Sequence, residues 1–154
     1  MEIERKFLIE ELPEDLILPA GTEFEQGYLC TGPVVRIRRE GDAYWLTIKS
    51  QGMMIREEYN IPMSADAYYH LLPKVDHSLI HKTRFRIPLD ETHTIELDQF
   101  HGVLAPLLMA EVEFTSPEDA EDFIPPHWFG REVTYDRRFH NSNMILLTYE
   151  DLTD

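Results

Sequence analysis

The sequence predicts an α+β protein, mainly β: an eight-stranded antiparallel barrel, closed into a tunnel with a charged interior and flanked by a few helices. Three observations predict it. Charged residues recur two apart: Glu2, Glu4 and Lys6; Arg36 and Arg38; Lys82, Arg84 and Arg86; Glu96 and Asp98; Glu111 and Glu113. The residues between them are often apolar (Val35 and Ile37, Ile95 and Leu97, Val112), and strand side chains alternate faces, so such a strand has one charged and one apolar face. Turn signals separate these runs at hairpin spacing, and few segments carry a helical period.

The first strand spans about Met1 to Ile9. Pro13 and Pro19 make the following segment an irregular connection. A second strand runs from about Phe24 to Thr31, and Gly32-Pro33 turns the chain. Val34 to Glu40 and Ala43 to Ser50 form a hairpin across Gly41-Asp42, the latter rich in aromatic and β-branched residues. After Gln51-Gly52 comes a fifth strand, Ile55 to Pro62, with Arg56, Glu58 and Asn60 on one face. Ser64 is placed to cap a helix whose stripe is Ala67, Tyr68, Leu71 and Leu72, ended by Pro73. Strands at about His81 to Leu89 and Thr92 to Phe100 are joined tightly at Asp90-Glu91, and the eighth is about Leu107 to Thr115. Ser116-Pro117-Glu118-Asp119 starts a second helix, with a cap, an N1 proline and first-turn acids. A short helix follows Ser142.

Closing eight antiparallel strands removes both sheet edges. Ile3, Phe7, Val35, Ile37, Ile48, Ile95, Leu97 and Val112 need cover, and the helices can supply it only from outside. The charged face then lines the interior, the reverse of an ordinary barrel. Unpaired buried charge is costly, so such an interior must hold both signs together with water or a charged ligand. The competing arrangement is a core of mutually paired ions without a ligand.

A chain of 154 residues is long enough for one domain with a real core, spanning residues 1–154. No apolar run approaches the roughly 20 residues that span a bilayer. The acidic, amphipathic start is no signal peptide, and the lone Cys30 rules out an intrachain disulfide or a thiolate metal cluster. A cytoplasmic location is expected. The net charge of −15 argues against nucleic acid and anionic membrane as partners. It is unevenly spread: eight of the 14 basic residues but only seven of the 29 acids share the strand face described above. The interior is near neutral and the exterior acidic, a composition compatible with a monomer or a homodimer.

Eight converging cations (Lys6, Arg36, Arg38, Lys49, Arg56, Lys82, Arg84, Arg86) suit a phosphate-rich ligand, since arginine presents a planar fork of donors and lysine a mobile point charge. Clustered carboxylates in the same space suit hard divalent cations such as Mg2+ or Mn2+, which prefer oxygen ligands and bridge carboxylates to phosphates. The seven histidines are scattered. Metal, phosphate and a carboxylate near water are the equipment of phosphoryl transfer, and the chain has no Walker loop or kinase signature.

These residues in this order resemble the CYTH superfamily, the triphosphate tunnel metalloenzymes. Glu2-x-Glu4-x-Lys6 opens the series. Arg36-x-Arg38, Lys49, Arg56-x-Glu58, Lys82-x-Arg84, Glu96-x-Asp98, Glu111-x-Glu113, Val133-Thr134 and Asn141-Ser142 continue it over essentially the whole chain. The compact length and Trp128-Phe129-Gly130 look most like small bacterial members, some of which resemble inorganic triphosphatases. The resemblance implies metal binding by Glu2, Glu4, Glu111 and Glu113, helped by Asp98 and Glu96. It implies a phosphate cradle of Lys6, Arg36, Arg38, Lys49, Arg56, Lys82 and Arg84, with Glu58 orienting its basic neighbours. Glu2, Glu4, Lys6 and Lys82 are the expected catalytic groups. Asn60 stands where many members carry an acid. Tyr28 and Arg138 are placed at the tunnel mouth or in packing.

The function implied is metal-dependent hydrolysis of a triphosphate, foremost inorganic tripolyphosphate, to diphosphate and phosphate by in-line water attack. Adenylate cyclase, thiamine triphosphatase and a non-catalytic polyphosphate- or nucleotide-binding module are the alternatives. For the first two, only Tyr44, Trp45 and Trp128 offer aromatic surface for a base.

Overall fold

A computed structural model of the protein describes residues 1–153. It has nine strands among the described residues: β1 (Glu2–Leu8), β2 (Thr22–Thr31), β3 (Val34–Glu40), β4 (Ala43–Lys49), β5 (Ile55–Arg56), β6 (Glu58–Met63), β7 (Asp76–Pro88), β8 (Thr94–Phe100) and β9 (Leu108–Glu113). All pair antiparallel in the order β5-β1-β9-β8-β7-β2-β3-β4-β6.

The two ends of that order are neighbours in sequence. Arg56 of β5 lies opposite Glu2 of β1, and Glu58 of β6 lies opposite Lys49 of β4. The sheet therefore curls round until its ends meet at Glu57, giving a nearly closed barrel with one seam. The fifth strand read from sequence, Ile55 to Pro62, is this closing piece. It splits because its first residues belong to one ladder and its later ones to another. That split accounts for nine strands where eight were predicted.

Register carries the alternation around the barrel. Arg84 faces Asp98, Arg86 faces Glu96, Glu96 faces Glu111, and Lys6 faces Glu111 on the other side of β9. Charged residues of neighbouring strands thus share one surface. β7 is longer than predicted: its first half, near His77 and Ser78, lacks apolar alternation but still pairs with Gln26 and Tyr28 of β2. β2 bulges next to Gly27, where a Cβ would come within 2.8 Å of Val75 and Leu79. Glycine is what lets the strand pass there.

Helix α1 (Ala65–Leu71) starts where Ser64 accepts a hydrogen bond from the Ala67 amide at 3.1 Å. Helix α2 (Pro117–Asp122) starts at Ser116, which accepts from the Asp119 amide at 3.0 Å. Both caps agree with the sequence reading. The C-terminal segment adds α3 (Asn141–Met144), which begins one residue before Ser142, and α4 (Tyr149–Leu152), whose Thr148–Asp151 capping box the sequence reading did not use.

One hydrophobic cluster lies outside the barrel wall, and the other fills one end of the barrel on its inner face. The first gathers Ile3, Ile95, Leu97, Ala110 and Val112 beneath Ala120 of α2, with Trp128 and Phe129 against it. The other joins Ile80, Phe100 and Met109 to Phe139, Met144, Ile145 and Leu152 of the C-terminal segment. Ile3, Phe7, Ile37, Ile95, Leu97 and Val112 are buried as the inverted barrel requires, each contributing roughly 1.5–3 kcal/mol. Val35 and Ile48 are only half-buried, and Tyr59 and Ile61 are exposed.

Candidate active site

The inward faces enclose a cavity of about 290 Å3. Its lining brings together Glu2, Glu4, Lys6, Tyr28, Arg36, Arg38, Lys49, Arg56, Glu58, Lys82, Arg84, Arg86, Glu96, Glu111 and Glu113. Nearly every residue singled out from the sequence therefore meets in one place. Two do not line it. Asp98 is wholly buried behind Lys82 and Arg84, and Arg138 lies half-buried in the turn Arg137–Phe139, paired with Asp136 at 2.7 Å and stacked over Phe139. Asp98 thus stands as a counter-ion in the wall, and Arg138 is held in its own turn rather than in the cavity lining.

Both signs are present and interlocked. Lys49 Nζ lies 3.1 Å from Glu2 and from Glu58, and Arg56 reaches Glu2 at 3.7 Å and Glu4 at 3.6 Å. Lys6 lies 3.6 Å from Glu4 and 3.9 Å from Glu111. Arg84 touches Asp98 at 2.7 Å, Glu96 at 3.0 Å and Glu111 at 3.6 Å.

The electrostatics are uneven. Burial, then the Glu4 charge, push Glu2 up to about 8 against the pull of Lys49. Glu113 is raised by burial and by Glu96, Glu4 and Glu58. Glu111 is buried, yet Lys6 and Arg84 hold it well below the usual carboxylate range. Glu58 is likewise held low against burial, by its hydrogen bond with Glu2 and the Lys49 charge. On the cationic side, burial pushes Lys82 down to about 7 although Asp98 opposes it, with Arg84 and Arg38 adding to the shift. Burial, Arg36 and Arg84 push Arg38 down to about 10.

Two observations say what this site lacks in itself. The Nε atoms of Arg36 and Arg56 are buried without a hydrogen-bond partner, an arrangement that anionic oxygens would satisfy. Glu2 and Glu113 are pushed up by burial first and then by neighbouring carboxylates, and a divalent cation would relieve the second of these. Among the described residues no three acids or histidines converge at ligating spacing, because Glu2, Glu4 and Glu111 are turned onto cations. The all-oxygen donor set nevertheless fits Mg2+ or Mn2+.

Apart from Tyr28, sequence reasoning missed the inward face of β2. Phe24 is buried with Arg38, Arg84, Lys82 and Arg86 around its ring at 4.8, 5.0, 5.7 and 5.8 Å. Gln26 accepts from Arg38, and Thr47 of β4 accepts from Arg36. The period-two run Phe24, Gln26, Tyr28 was the available signal, but it carries no charge. Of the aromatics considered for base stacking, Tyr44 packs on Tyr68 and Trp128 on Phe129, whereas Trp45 lines the cavity.

The family model for the CYTH domain matches residues 1–140. The chain belongs to the CYTH family. This CYTH protein is similar to an inorganic triphosphatase of Nitrosomonas europaea, at 40% identity over 94% of this chain and 97% of that one. It is also similar to an inorganic triphosphatase of Acetivibrio thermocellus, at 34% identity over 99% and 98% of the two chains. Among solved structures, an inorganic triphosphatase crystal structure superposes with a TM-score of 0.70 at 39% identity, covering 96% of this chain and 95% of the other. A Pyrococcus horikoshii protein at 22% identity shares the fold, with a TM-score of 0.56 over 79% and 81% of the chains.

Proposed function

We propose that this CYTH protein, acting as one tunnel domain over residues 1–154, hydrolyses inorganic tripolyphosphate to diphosphate and phosphate with Mg2+ or Mn2+. The observation that carries the reading is the meeting, in one cavity of about 290 Å3, of cations with unsatisfied donors and crowded carboxylates. That volume is at the small end of ligand pockets, roughly 300–1,000 Å3, which suits a bare phosphate chain better than a nucleotide. The two relatives at 40% and 34% identity that are named inorganic triphosphatases support the same substrate.

In this reading Lys6, Arg36, Arg38, Lys49, Arg56, Lys82 and Arg84 hold the phosphate oxygens and align the chain for in-line attack. Glu2, Glu4, Glu111 and Glu113 hold the metal, with Glu96 beside them. When bound, the metal neutralises developing charge and makes water a better nucleophile. Water oxygen bonds to the terminal phosphorus as its proton passes to a carboxylate of the metal-holding set, and the bridging P–O bond breaks with its electron pair leaving on diphosphate. Lys82, its pKa pushed down by burial, is kept charged by Asp98 at 2.8 Å and serves the developing phosphate charge. Glu58 orients Lys49.

No helix is long and apolar enough to cross a membrane among the described residues. A lone, exposed Cys30 supports a cytoplasmic setting. The test is a parallel assay of untagged protein with each metal, offered tripolyphosphate, ATP and thiamine triphosphate, reading phosphate and cyclic AMP. Tripolyphosphate is the fastest substrate in this reading. Cyclic AMP from ATP, for which Trp45 supplies the one lining indole, would move the protein to the cyclases.

A further inference from the structure

The cations of the cavity are held in two different ways. Lys49, Arg56, Lys6 and Arg84 each face two or more carboxylates. Arg38 and Lys82 are instead tied together through neutral amides. Arg38 Nε donates to Gln26 Oε1 at 2.8 Å. Lys82 Nζ donates to Asn141 Oδ1 at 3.1 Å, besides its pairing with Asp98. Gln26 Nε2 donates to the same Asn141 oxygen at 3.0 Å and to the Tyr28 hydroxyl at 3.2 Å. The one carboxylate near Arg38 is Glu40, 3.3 Å from Nη1 at the other end of the guanidinium.

This chain of bonds joins four elements: β2, β3, β7 and the start of α3. Gln26 is fully buried and Asn141 is 9% exposed, so neither amide exchanges its partners freely with water. The donors also fix which way the amides point. Reversing either one would set an NH2 group against a guanidinium or ammonium. Charge-assisted bonds of this kind are strong enough to offset the rotamer entropy of one long side chain.

We propose that Gln26 and Asn141 are a positioning pair for anion binding: they fix Arg38 and Lys82 through neutral acceptors, so these two cations are oriented without further neutralisation. A carboxylate at either place would pair with its cation directly, although at position 26 it would give up the Nε2 donation to Asn141 and Tyr28. It would also compete with phosphate oxygens for the same charge. An amide oxygen gives the orientation and leaves the positive field for the ligand, which is preorganisation of the cradle. The proposal rests on the reading of the cavity as a triphosphate site, and it goes beyond that reading by assigning roles to two uncharged residues.

The test compares Gln26→Glu and Asn141→Asp, which keep shape and add charge, with Gln26→Leu, Asn141→Leu and the double leucine variant. Thermal unfolding is measured without ligand, and KM and kcat are measured on tripolyphosphate with Mg2+. Asn141→Asp is expected to unfold at or above the wild-type temperature and Gln26→Glu, which loses the Nε2 donations, below it; both raise KM about tenfold or more, with kcat of Gln26→Glu changed less than KM. The double leucine variant is expected to raise KM no further than the worse single one, because the two amides act as one unit. Wild-type KM in both carboxylate variants would overturn the proposal, as would single losses that multiply in the double. Lowered unfolding temperatures with unchanged KM would make the pair merely structural and also overturn it. Wild-type protein that neither binds nor hydrolyses tripolyphosphate would instead overturn the functional reading beneath it.

Discussion

Lys82 Nζ sits 2.8 Å from Asp98 Oδ2, and Asp98 has no exposed surface. Asp98 also accepts from Arg84 Nε at 2.7 Å and Nη2 at 2.8 Å. One carboxylate therefore compensates two cavity cations from behind the wall. Removing its charge leaves both with a weaker partner in a dry setting. Asp98→Asn is expected to lose about 3–5 kcal/mol of stability, the range for breaking a buried pair. Urea unfolding checks it, and a loss below about 1 kcal/mol would contradict the role of Asp98 as the shared counter-ion.

Glu4 contributes an oxygen to the carboxylate cluster and is buried between Lys6 and Arg56. Glu4→Gln keeps the shape and removes the charge. Turnover with Mg2+ or Mn2+ is expected to fall roughly 100-fold, about 2.7 kcal/mol, with the far-ultraviolet circular dichroism unchanged. Unaltered turnover would end the metal-site assignment.

Arg36 has a hydroxyl partner, Thr47, at 3.2 Å and a buried Nε with none. Its free donor is available to an anion. Arg36→Ala should weaken tripolyphosphate binding about 10- to 100-fold, from the roughly 1.5–3 kcal/mol of one charge-assisted bond. Monophosphate should lose less, because it cannot span the cradle. Calorimetric titration of both ligands decides it, and equal losses would argue against an extended cradle.

His93 joins the β7–β8 turn to α2, with Nδ1 2.9 Å from Asp90 and Nε2 2.9 Å from Asp119. The Asp90 hydrogen bond, against partial desolvation and with Asp119 adding to it, raises the His93 pKa. A raised folded value means the clasp contributes its full stability below the unfolded pKa of about 6.5 and loses it as pH rises through the folded value. The difference in unfolding temperature between wild type and His93→Gln should therefore be largest about one unit below that unfolded value and shrink as the pH is raised about two units above it. A difference that stays flat would show that the neutral ring holds the clasp equally well.

Legibility in the sequence differs from residue to residue. Glu2-x-Glu4-x-Lys6 and Lys82-x-Arg84-x-Arg86 were legible because charge repeating at period two, with Arg5 the one charged residue between, marks a strand with one charged face, and the recurrence of that pattern brings the faces together. The break at Glu57 was not, since it exists only because Arg56 pairs with β1 and Glu58 with β4. Asp98 was assigned to the right face, but alternation gives a face and not a depth, and depth makes it a counter-ion. Gln26 and Phe24 share that face without charge, so a search for charge passed over them. Arg138 lies in a turn whose position depends on how the C-terminal segment packs, which no local pattern encodes.

The proposed metal-dependent cleavage at the terminal phosphorus is tested by phosphorus NMR. Untagged protein is mixed with tripolyphosphate, once with Mg2+ and once in excess chelator. Diphosphate and phosphate are expected in equal amounts with the metal, and unchanged tripolyphosphate in the chelator. Turnover that persists in the chelator, or intact tripolyphosphate under both conditions, would contradict metal-dependent hydrolysis by this cavity.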